Sequence, residues 1–455
     1  MSSDTARARL FGVVVRPLQT FLQLEAASGI VLLLCAMAAL VWANISPASY
    51  HATFEYPLTL GVGGALETFT LQALINDGLM AIFFFVVGME IKRELVSGEL
   101  NSFAKASLPA LAALGGMILP AGIFLAFTWG TAGQRGWGIP MATDIAFCIG
   151  ILTLLKDRVP RALVVFVTAL AIFDDIGGIL VIALFYGHGL SALWLVSAAG
   201  LTCVLFWMSR AYVINGLAYA AVGAGLWYTL HHGGVHATIA GVVVGLMIPA
   251  RPQRPSREVL RELAGHVSDL DRKPPDEALD GAEILAIEEK LEDLQAPVYR
   301  FVHLLHPFVA FFIMPVFALA NSGVVLGGAG LATLTAPVTL GTAFGLFVGK
   351  QIGIYGFTAF AIKLGAAQMP RGASRAKLFG VSVVAGVGFT VALFIAALAY
   401  HDAPNLLEQA KVGILLGSAA AGVAGFMLLR FVEGSKATST LPSRAPRAAD
   451  DAYGS

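Results

Sequence analysis

Two adjacent carboxylates, Asp174 and Asp175, lie in the middle of a long apolar stretch that reads AIFDDIGG. Neighbouring residues on a helix point about 100° apart, so one carboxylate can face a cavity while the other faces a partner helix. Their mutual repulsion and their removal from water favour keeping a proton on at least one of them. Carboxylate oxygens also bind small hard cations such as Na+. The pair therefore predicts a site at which protons and a cation compete.

Few other ionisable residues occur inside apolar runs. Asp77, Asp144 and Lys350 lie well within such runs, and Glu90 lies near the end of one. A charge in hydrocarbon needs a partner or a water-filled cavity, so residues of this kind are functional candidates. Because Lys350 is the single base among several acids, salt bridges cannot neutralise them all. The acidic interior favours a cation as the substrate.

The elements that position these residues must be membrane helices. Of 455 residues, 57% are apolar and 13% are charged, and the mean hydropathy is +0.78. The charged share is about half of that in soluble domains, which excludes an ordinary soluble enzyme. About 260 apolar residues, at ~20 for each crossing, allow about a dozen spans. We therefore expect an all-α polytopic membrane protein.

Apolar runs divide the chain into twelve candidate spans. They cover residues 18–43, 71–96, 106–127, 134–155, 161–185, 190–210, 213–229, 233–249, 297–320, 338–362, 377–400 and 407–432. The predicted organisation is a cytoplasmic N-terminal tail at 1–17, helices 1–8 at 18–249, a charged cytoplasmic loop at 250–296, helices 9–12 at 297–432 and a disordered cytoplasmic tail at 433–455.

Lysine and arginine alternate between the short connections. The N-terminal tail and every second loop hold fourteen of them, whereas the intervening loops hold only Arg135 and Lys411. Short cytoplasmic loops carry the excess of positive charge, so this alternation places both termini in the cytoplasm. It also requires an even number of spans.

The connection at 251–300 cannot lie in lipid, because 20 of its 50 residues are charged. Within it, Ile284, Ile287, Leu291 and Leu294 recur at spacings of three and four, which predicts an amphipathic helix. Such a helix either rests as a solvated element on the bundle or the membrane surface, or provides a docking site.

Two spans contain interruptions. Span 4 reads WGIPMATDIAF, with Pro140 before Thr143 and Asp144, and span 11 contains AGVGFT. Each is the second of three spans in the blocks 3-4-5 and 10-11-12, and paired interruptions of this kind indicate a midplane site in inverted-repeat transporters. Asp144 could neutralise exposed helix N-termini and Lys350 exposed C-termini. An ordinary proline kink and glycines used for close packing are the alternatives.

Three further residues could respond to pH. Glu90 and Glu94 share one face at the end of span 2, as a proton-sensing funnel or as a solvated helix end with local ion pairs. His236 could titrate near neutrality, or could be a packing histidine.

Together these residues carry a resemblance to the NhaA family of Na+/H+ antiporters over about residues 15 to 432. The motifs that carry it are FFFVVGMEIKRELVSGEL, ATDIAF, FDDIGGI, GVHATIAGV, LHPFVAFFIMPVFALAN and GVGFT, in the order of the family. The resemblance implies a twelve-helix fold with crossed, interrupted helices 4 and 11. It also implies electrogenic exchange of sodium or lithium for protons in the bacterial inner membrane, and a homodimer.

The resemblance also assigns roles. It makes Asp175 the principal ion and proton carboxylate, with Asp174 as its partner and as the salt-bridge mate of Lys350, while Thr143 and Asp144 lie at the break in helix 4. It places five residues in the cytoplasmic funnel and pH response: Asp77, Glu90, Arg93, Glu94 and His236.

The chain departs from the family before span 9. Where well-known members have Arg-Leu-Glu-His, it reads RFVH at 300–303, so a sensor acid is missing and the pH of activation is left open. The dimer contact of the family, a periplasmic hairpin after span 1, would map near 45–65, where no sharp motif occurs.

Three other functions use some of the same features. An intramembrane aspartyl protease would need two aspartates on different helices, such as Asp144 and Asp174, but has no use for Lys350 or for the paired interruptions. A symporter of organic anions would need basic or hydroxyl groups, and a passive cation channel would conduct without proton coupling. We expect a transporter rather than an enzyme, with no catalytic residues and no cofactor. Na+ at Asp174 and Asp175 is its substrate.

Overall fold

The computed structural model is mostly helical, as the apolar runs predict, because only helices satisfy the backbone of such segments within lipid. It describes residues 27–62, 65–98, 100–155, 158–187, 189–271, 280–325 and 331–432. The predicted tails at 1–17 and 433–455 lie outside the described residues.

Seventeen helices and one pair of strands occur in the described ranges. In chain order, the helices are α1 (Ala27–Ile45), α2 (Pro47–Phe54), α3 (Leu71–Ser97), α4 (Phe103–Thr128), α5 (Ile145–Leu154), α6 (Arg161–Phe185), α7 (Ala192–Arg210), α8 (Gly216–His232), α9 (Ile239–Met247), α10 (Ser256–Asp271), α11 (Gly281–Leu294), α12 (Pro297–Asn321), α13 (Leu331–Leu334), α14 (Pro337–Lys363), α15 (Arg375–Val384), α16 (Phe389–Ala399) and α17 (Pro404–Phe431). A 3-10 helix, Ala132–Met141, precedes α5. Strands β1 (Pro57–Val62) and β2 (Ala65–Thr70) pair antiparallel, with Pro57 opposite Thr70.

Eight of the described helices are long and apolar enough to cross a membrane, namely α1, α3, α4, α6, α7, α12, α14 and α17. Two bent helix pairs raise this number to as many as ten. Helices α8 and α9 coincide with predicted spans but have only 17 and 9 residues. The chain is thus a multi-pass membrane protein, and the count of twelve spans stays a prediction.

The two bent pairs coincide with the segments in which the sequence shows interruptions. The 3-10 helix meets α5 at 41°, and α15 meets α16 at 45°. Pro140, which has no backbone donor, is the last residue but one of the 3-10 helix, which ends at Met141. Between α15 and α16 the chain passes Gly386 and Gly388, and a side chain at Gly388 would lie 2.9 Å from the carbonyl oxygen of Ala142. The two breaks therefore touch.

Most of the bundle consists of two groups of helices. The first block contains α4, the 3-10 helix, α5, α6 and α14–α17. Its helices α4 and α14 cross so closely that a Cβ on Gly353 would lie 2.1 Å from the carbonyl oxygen of Gly115. Helix α16 is almost wholly buried in this block. Small residues permit such backbone contact, which replaces the missing hydrophobic driving force in lipid.

The second block contains α1, α3, α7–α9 and α12. A Cβ on Gly241 of α9 would lie 2.0 Å from the carbonyl oxygen of Ala81 of α3, so these helices also touch through their backbones. Helices α3 and α12 run antiparallel. At one end the hydroxyls of Ser97 and Tyr299 are 2.5 Å apart, and at the other Asn321 Nδ2 donates to Asn76 Oδ1 over 2.8 Å.

Three long helices each contain a π-helical turn. These turns are Leu74–Leu79 in α3, Val309–Ile313 in α12 and Gly345–Gly349 in α14. A π-turn widens the helix by one residue, and such turns are frequent at functional sites. The one in α14 ends immediately before Lys350.

The predicted charged loop at 250–296 contains the helices α10 and α11. Arg254 donates to Glu258 over 2.9 Å and also to Glu262, which accepts from Lys290 over 3.4 Å as well. The hydrogen bonds from Arg254 hold the pKa of the Glu262 carboxyl below its usual range. Along the predicted apolar stripe, Ile284 and Leu291 remain 46% exposed. Ile287 and Leu294 of the same stripe are half-buried. The described residues thus show an ion-paired helix pair with a partly covered apolar stripe.

Candidate functional site

Helix α6 holds the acidic pair at the centre of the first block. Asp174 and Asp175 are 3% and 6% exposed. Because the helix is continuous through Arg161–Phe185, the two side chains leave it about 100° apart and reach different surroundings.

Asp174 faces a lysine and a threonine. Its Oδ2 accepts from Lys350 Nζ over 2.5 Å and from the Thr143 hydroxyl over 2.6 Å. Neither charged side chain is exposed to solvent. The second oxygen, Oδ1, is buried and accepts no hydrogen bond from any described residue. Asp174 therefore links α6, α14 and the break before α5.

Asp175 faces a cavity of about 670 Å³ instead. The polar residues in its wall are Ser28, Glu90, Thr143, Asp144, Thr168, Asp175 and His306. The rest of the wall is apolar and comes from α3, α5, α6, α12 and α16. None of the hydrogen bonds between described side chains involves the Asp175 carboxylate. A carboxylate in this setting can take up a proton or a cation without first breaking a protein contact.

Asp144 caps two helices at once. Its Oδ1 accepts from the backbone N–H of Phe147 over 3.2 Å, at the start of α5. Its Oδ2 accepts from the backbone N–H and the hydroxyl of Thr390 over 3.1 and 2.5 Å, at the start of α16. Helix N-termini carry partial positive charge and unpaired N–H groups, so one carboxylate compensates both.

The C-terminal end of α15 is also satisfied by the opposite break. The carbonyl oxygen of Ala385 lies 3.0 Å from the Thr143 hydroxyl, and that of Val384 accepts from Cys148 Sγ over 3.3 Å. The backbone N–H of Asp144 donates to Val387 over 2.7 Å. Each interrupted segment thus supplies hydrogen-bond partners that the other lacks. The sequence interpretation assigned compensation of the C-termini to Lys350, but Lys350 Nζ donates to Asp174 instead.

The structure does not bring together the five residues that the resemblance places in the funnel and pH response. Glu90 lines the cavity. Arg93 donates to Glu94 over 3.1 Å one turn further along α3. Asp77 lies in the π-turn near the other end of α3, thirteen residues or about 20 Å from Glu90.

His236 lies towards the end of α3 that holds Asp77, not the end that holds Glu90. It lies just before α9, whose Gly241 contacts Ala81 of α3, more than two turns from Glu90. The carbonyl oxygen of Asp77 accepts from Trp227 Nε1 of α8 over 3.1 Å. The expected funnel residues are therefore divided between the two ends of α3.

Sequence reasoning missed three residues at the site. Thr390 is the partner of Asp144, Cys148 satisfies α15, and His306 lines the cavity. Thr390 and His306 stand inside the quoted motifs GVGFT and LHPFVAFFIMPVFALAN, so position within a motif was the available signal. The expected sensor acid position, Val302, is a buried valine one turn before His306.

The arrangement can hold a small cation or protons among oxygen atoms next to a fixed positive charge. Carboxylates and hydroxyls are the ligands that hard cations prefer. Among the residues that the structure describes, no three His, Cys, Asp or Glu side chains form a metal-binding group.

The chain is similar to proteins of one family. The family model described as Na+/H+ antiporter 1 matches residues 19–429. A protein of Anaeromyxobacter sp. (strain Fw109-5) named Na(+)/H(+) antiporter NhaA is 61% identical over 97% of this chain and 96% of its own length. A protein of Myxococcus xanthus (strain DK1622) named Na(+)/H(+) antiporter NhaA 1 is 59% identical over 93% and 94%. One from Oleidesulfovibrio alaskensis with the NhaA name is 46% identical over 92% and 94%. The chain therefore belongs to the NhaA family of Na+/H+ antiporters, which are membrane transporters rather than enzymes.

Proposed function

We propose that the protein exports Na+ in exchange for protons by binding them in turn at Asp175. The observation that carries this proposal is the contrast at α6. Asp175 lines the cavity without a hydrogen bond among the described residues, while Asp174 is paired with Lys350 behind it. Protonation of Asp175 removes the charge that a cation needs, so the two substrates exclude each other. Competition for one site couples their movements.

The remaining site residues support this carboxylate. Asp174 and Lys350 adjust the charge next to it, Thr143 offers a hydroxyl oxygen, and Asp144 keeps a negative charge close to the cavity. Li+ is a hard cation of the same charge and suits the same oxygen ligands. We therefore include Li+ among the substrates.

Alternating access would come from a movement of the two blocks. Backbone contacts such as Gly115–Gly353 and Ala81–Gly241 make each block stiff, because packed glycine crossings leave no room for sliding. The cavity lies between the blocks, with walls from α3 and α12 on one side and from α5, α6 and α16 on the other. A rigid rotation of one block against the other would expose Asp175 to the opposite side of the membrane.

The exchange would be electrogenic and would respond to pH. If two protons enter for each Na+ that leaves, one of them on Asp175, each cycle moves net charge. The proton gradient then drives Na+ out. We assign the pH response first to Glu90, with Arg93 and Glu94 at the same end of α3, and separately to Asp77 and His236 at the other end.

Orientation and assembly follow from the charge pattern and from the strand pair. The fourteen to two bias of Lys and Arg supports two cytoplasmic termini in the bacterial inner membrane. The antiparallel strands β1 and β2 occupy the connection after α1, where the resemblance expects the dimer contact. An isolated two-stranded hairpin is marginally stable in water and leaves edges that another chain can pair with. We propose a homodimer through these strands.

Proteoliposomes with an acidic interior test the proposal. NaCl, LiCl or KCl is added outside at a series of pH values, and the internal pH is followed with a fluorescent dye. Na+ and Li+ should collapse the gradient, and a membrane potential of the appropriate sign should speed the collapse if charge moves. Sealed vesicles with folded protein that respond to no salt at any pH would contradict the antiport proposal.

A further inference from the structure

Thr168 is the single polar residue of α6 between Arg161 and Asp174. It is half-buried and lines the cavity. Helix α6 contributes three residues to the cavity wall, Val164, Thr168 and Asp175, which are spaced by four and by seven positions. These spacings place all three on one stripe of the helix. Thr168 therefore shares the face of α6 on which Asp175 borders the cavity.

The Thr168 hydroxyl keeps its acceptor capacity after its proton is satisfied. It donates to the backbone carbonyl oxygen of Val164, one turn earlier, over 3.1 Å. A hydroxyl oxygen has two acceptor lone pairs besides its one donor proton. None of the hydrogen bonds between described residues has this oxygen as its acceptor. Because the proton is committed to the helix, the oxygen is available to the cavity as an acceptor, which is what a cation requires.

Thr168 lies at the level of Glu90, two turns before Asp175. Ile91, the neighbour of Glu90, packs in one buried cluster with Ala169, the neighbour of Thr168. Asp175 follows seven residues later on α6, about 10.5 Å along the helix axis. The proposed orientation puts the start of α6 and the end of α3 on the cytoplasmic side. A cation from the cytoplasm then passes Thr168 before it reaches Asp175.

Most of the cavity wall is apolar, including Val87 of α3 and Val164 of α6 near Thr168. An ion that enters such a space loses part of its hydration, and an apolar wall offers no ligand in return. A hydroxyl oxygen can replace one water of the hydration shell. Because it carries no charge, it also holds the ion weakly enough to let it move on, as ion passage requires.

We propose that the Thr168 hydroxyl is a transient ligand for Na+ on its way from the cytoplasm to Asp175. Its oxygen replaces a water of the hydration shell, so it promotes capture of the ion without fixing it. This inference rests on the proposed antiport and adds a residue that determines how efficiently the cation is captured. The hydroxyl neither takes up nor releases a proton during exchange, so it acts on the cation alone.

The rate of exchange at a series of Na+ concentrations tests this role. Wild type, Thr168→Val and Thr202→Val are reconstituted in parallel, and valine keeps the shape of threonine. Thr202 of α7 is the control, because it is also half-buried and its hydroxyl donates to the carbonyl oxygen of Ala198, one turn earlier, over 2.9 Å, but it does not line the cavity. We expect Thr168→Val to lower kcat/KM for Na+ about fivefold, as for the loss of one uncharged contact, with kcat at saturating Na+ unchanged. Thr202→Val should match wild type in both.

Two further measurements keep the test decisive. Thr168→Ser restores the hydroxyl and should recover the wild-type kcat/KM, and the pH profile at saturating Na+ should be the same in all variants. Thr168→Ala replaces Thr168→Val if the valine variant does not reconstitute. A wild-type kcat/KM without the hydroxyl, an equal loss in Thr168→Ser or in Thr202→Val, or a shifted pH profile would overturn the role of Thr168 as a ligand. A wild-type protein that exchanges nothing would instead contradict the antiport proposal.

Discussion

The two faces of helix α6 carry the same acid one residue apart, in opposite surroundings. On one face Asp174 accepts from Lys350 and Thr143, and both ions of the pair are fully enclosed. On the other face Asp175 borders the cavity and accepts nothing from the described residues. In the proposed mechanism, identical side chains therefore have a structural and a transport role because of a 100° rotation about the helix.

The difference shows how one membrane site can keep a fixed ion pair and still bind and release a proton or a cation beside it. A buried ion pair is costly to break, so the pair of Asp174 and Lys350 holds α6 and α14 in register. A carboxylate without fixed donors has no such contact to lose and can exchange ligands. Asp144 resembles Asp174 in this respect, since three donors occupy its oxygens.

The largest expected effect comes from the cavity face. Asp175→Asn should reduce exchange at least about 1,000-fold, because removing the charge that holds the cation in the buried site costs ~4 kcal/mol. Folding should be retained, since the side chain has no protein partner to lose. Asp402→Asn, at an exposed acid after α16, is the control and should exchange like wild type. Exchange by Asp175→Asn at more than a tenth of the wild-type rate would remove Asp175 from the centre of the mechanism.

Hydropathy and residue type predict much of this comparison, but not its orientation. The spans, the acidic pair and the two interruptions follow from apolar runs of helical length and from Pro140, Gly386 and Gly388. Which carboxylate faces the cavity depends on the rotation of α6 against α14, which tertiary packing decides. Motif patterns also cannot show that Asp77 and Glu90 lie at opposite ends of α3, or that Thr390 reaches Asp144 from 246 residues away.

The second effect concerns the paired face. Lys350→Met leaves Asp174 buried without its positive partner and should destabilise the protein by about 3 kcal/mol. Asp174→Asn should do the same by leaving Lys350 unpaired. The double variant Asp174→Asn/Lys350→Met removes both charges and should recover much of the loss. The midpoint of thermal unfolding in detergent measures all three.

The double variant also separates stability from transport. It should be better folded than either single variant and yet exchange poorly, because the charge beside Asp175 is gone. If the double variant unfolds at the sum of the two single losses, the two residues are not coupled, and the structural role of this face is wrong.

A smaller effect is expected at the shared helix cap. Thr390→Val keeps the shape of the side chain and the backbone donor but removes the hydroxyl that donates to Asp144. Hydrogen bonds to charged groups contribute ~1.5–3 kcal/mol, and we expect a loss near the lower value. Thr358→Val removes a bond to the carbonyl of Ile354 in its own helix and should lose less. Equal unfolding midpoints for the two variants would show that the cap has no special weight.

The smallest effect should arise where an acid pairs with a base in water, at Glu262 and Arg254. Because the pKa of Glu262 is lowered in the folded protein, its contribution to stability is present above the ordinary carboxyl pKa of about 4.3 and is lost as the pH falls through the lower folded value. Limited proteolysis within α10 and α11 should therefore increase in wild type only at acidic pH. Glu262→Gln should be cleaved faster at neutral pH, and Glu288→Gln, at an exposed acid of α11, should not.

The pH profile of exchange should be the same in all three proteins, since this ion pair keeps its charge throughout the neutral range. A shifted exchange profile in Glu262→Gln alone would contradict this prediction. The charged loop would then take part in the pH response of exchange, and not only the membrane helices.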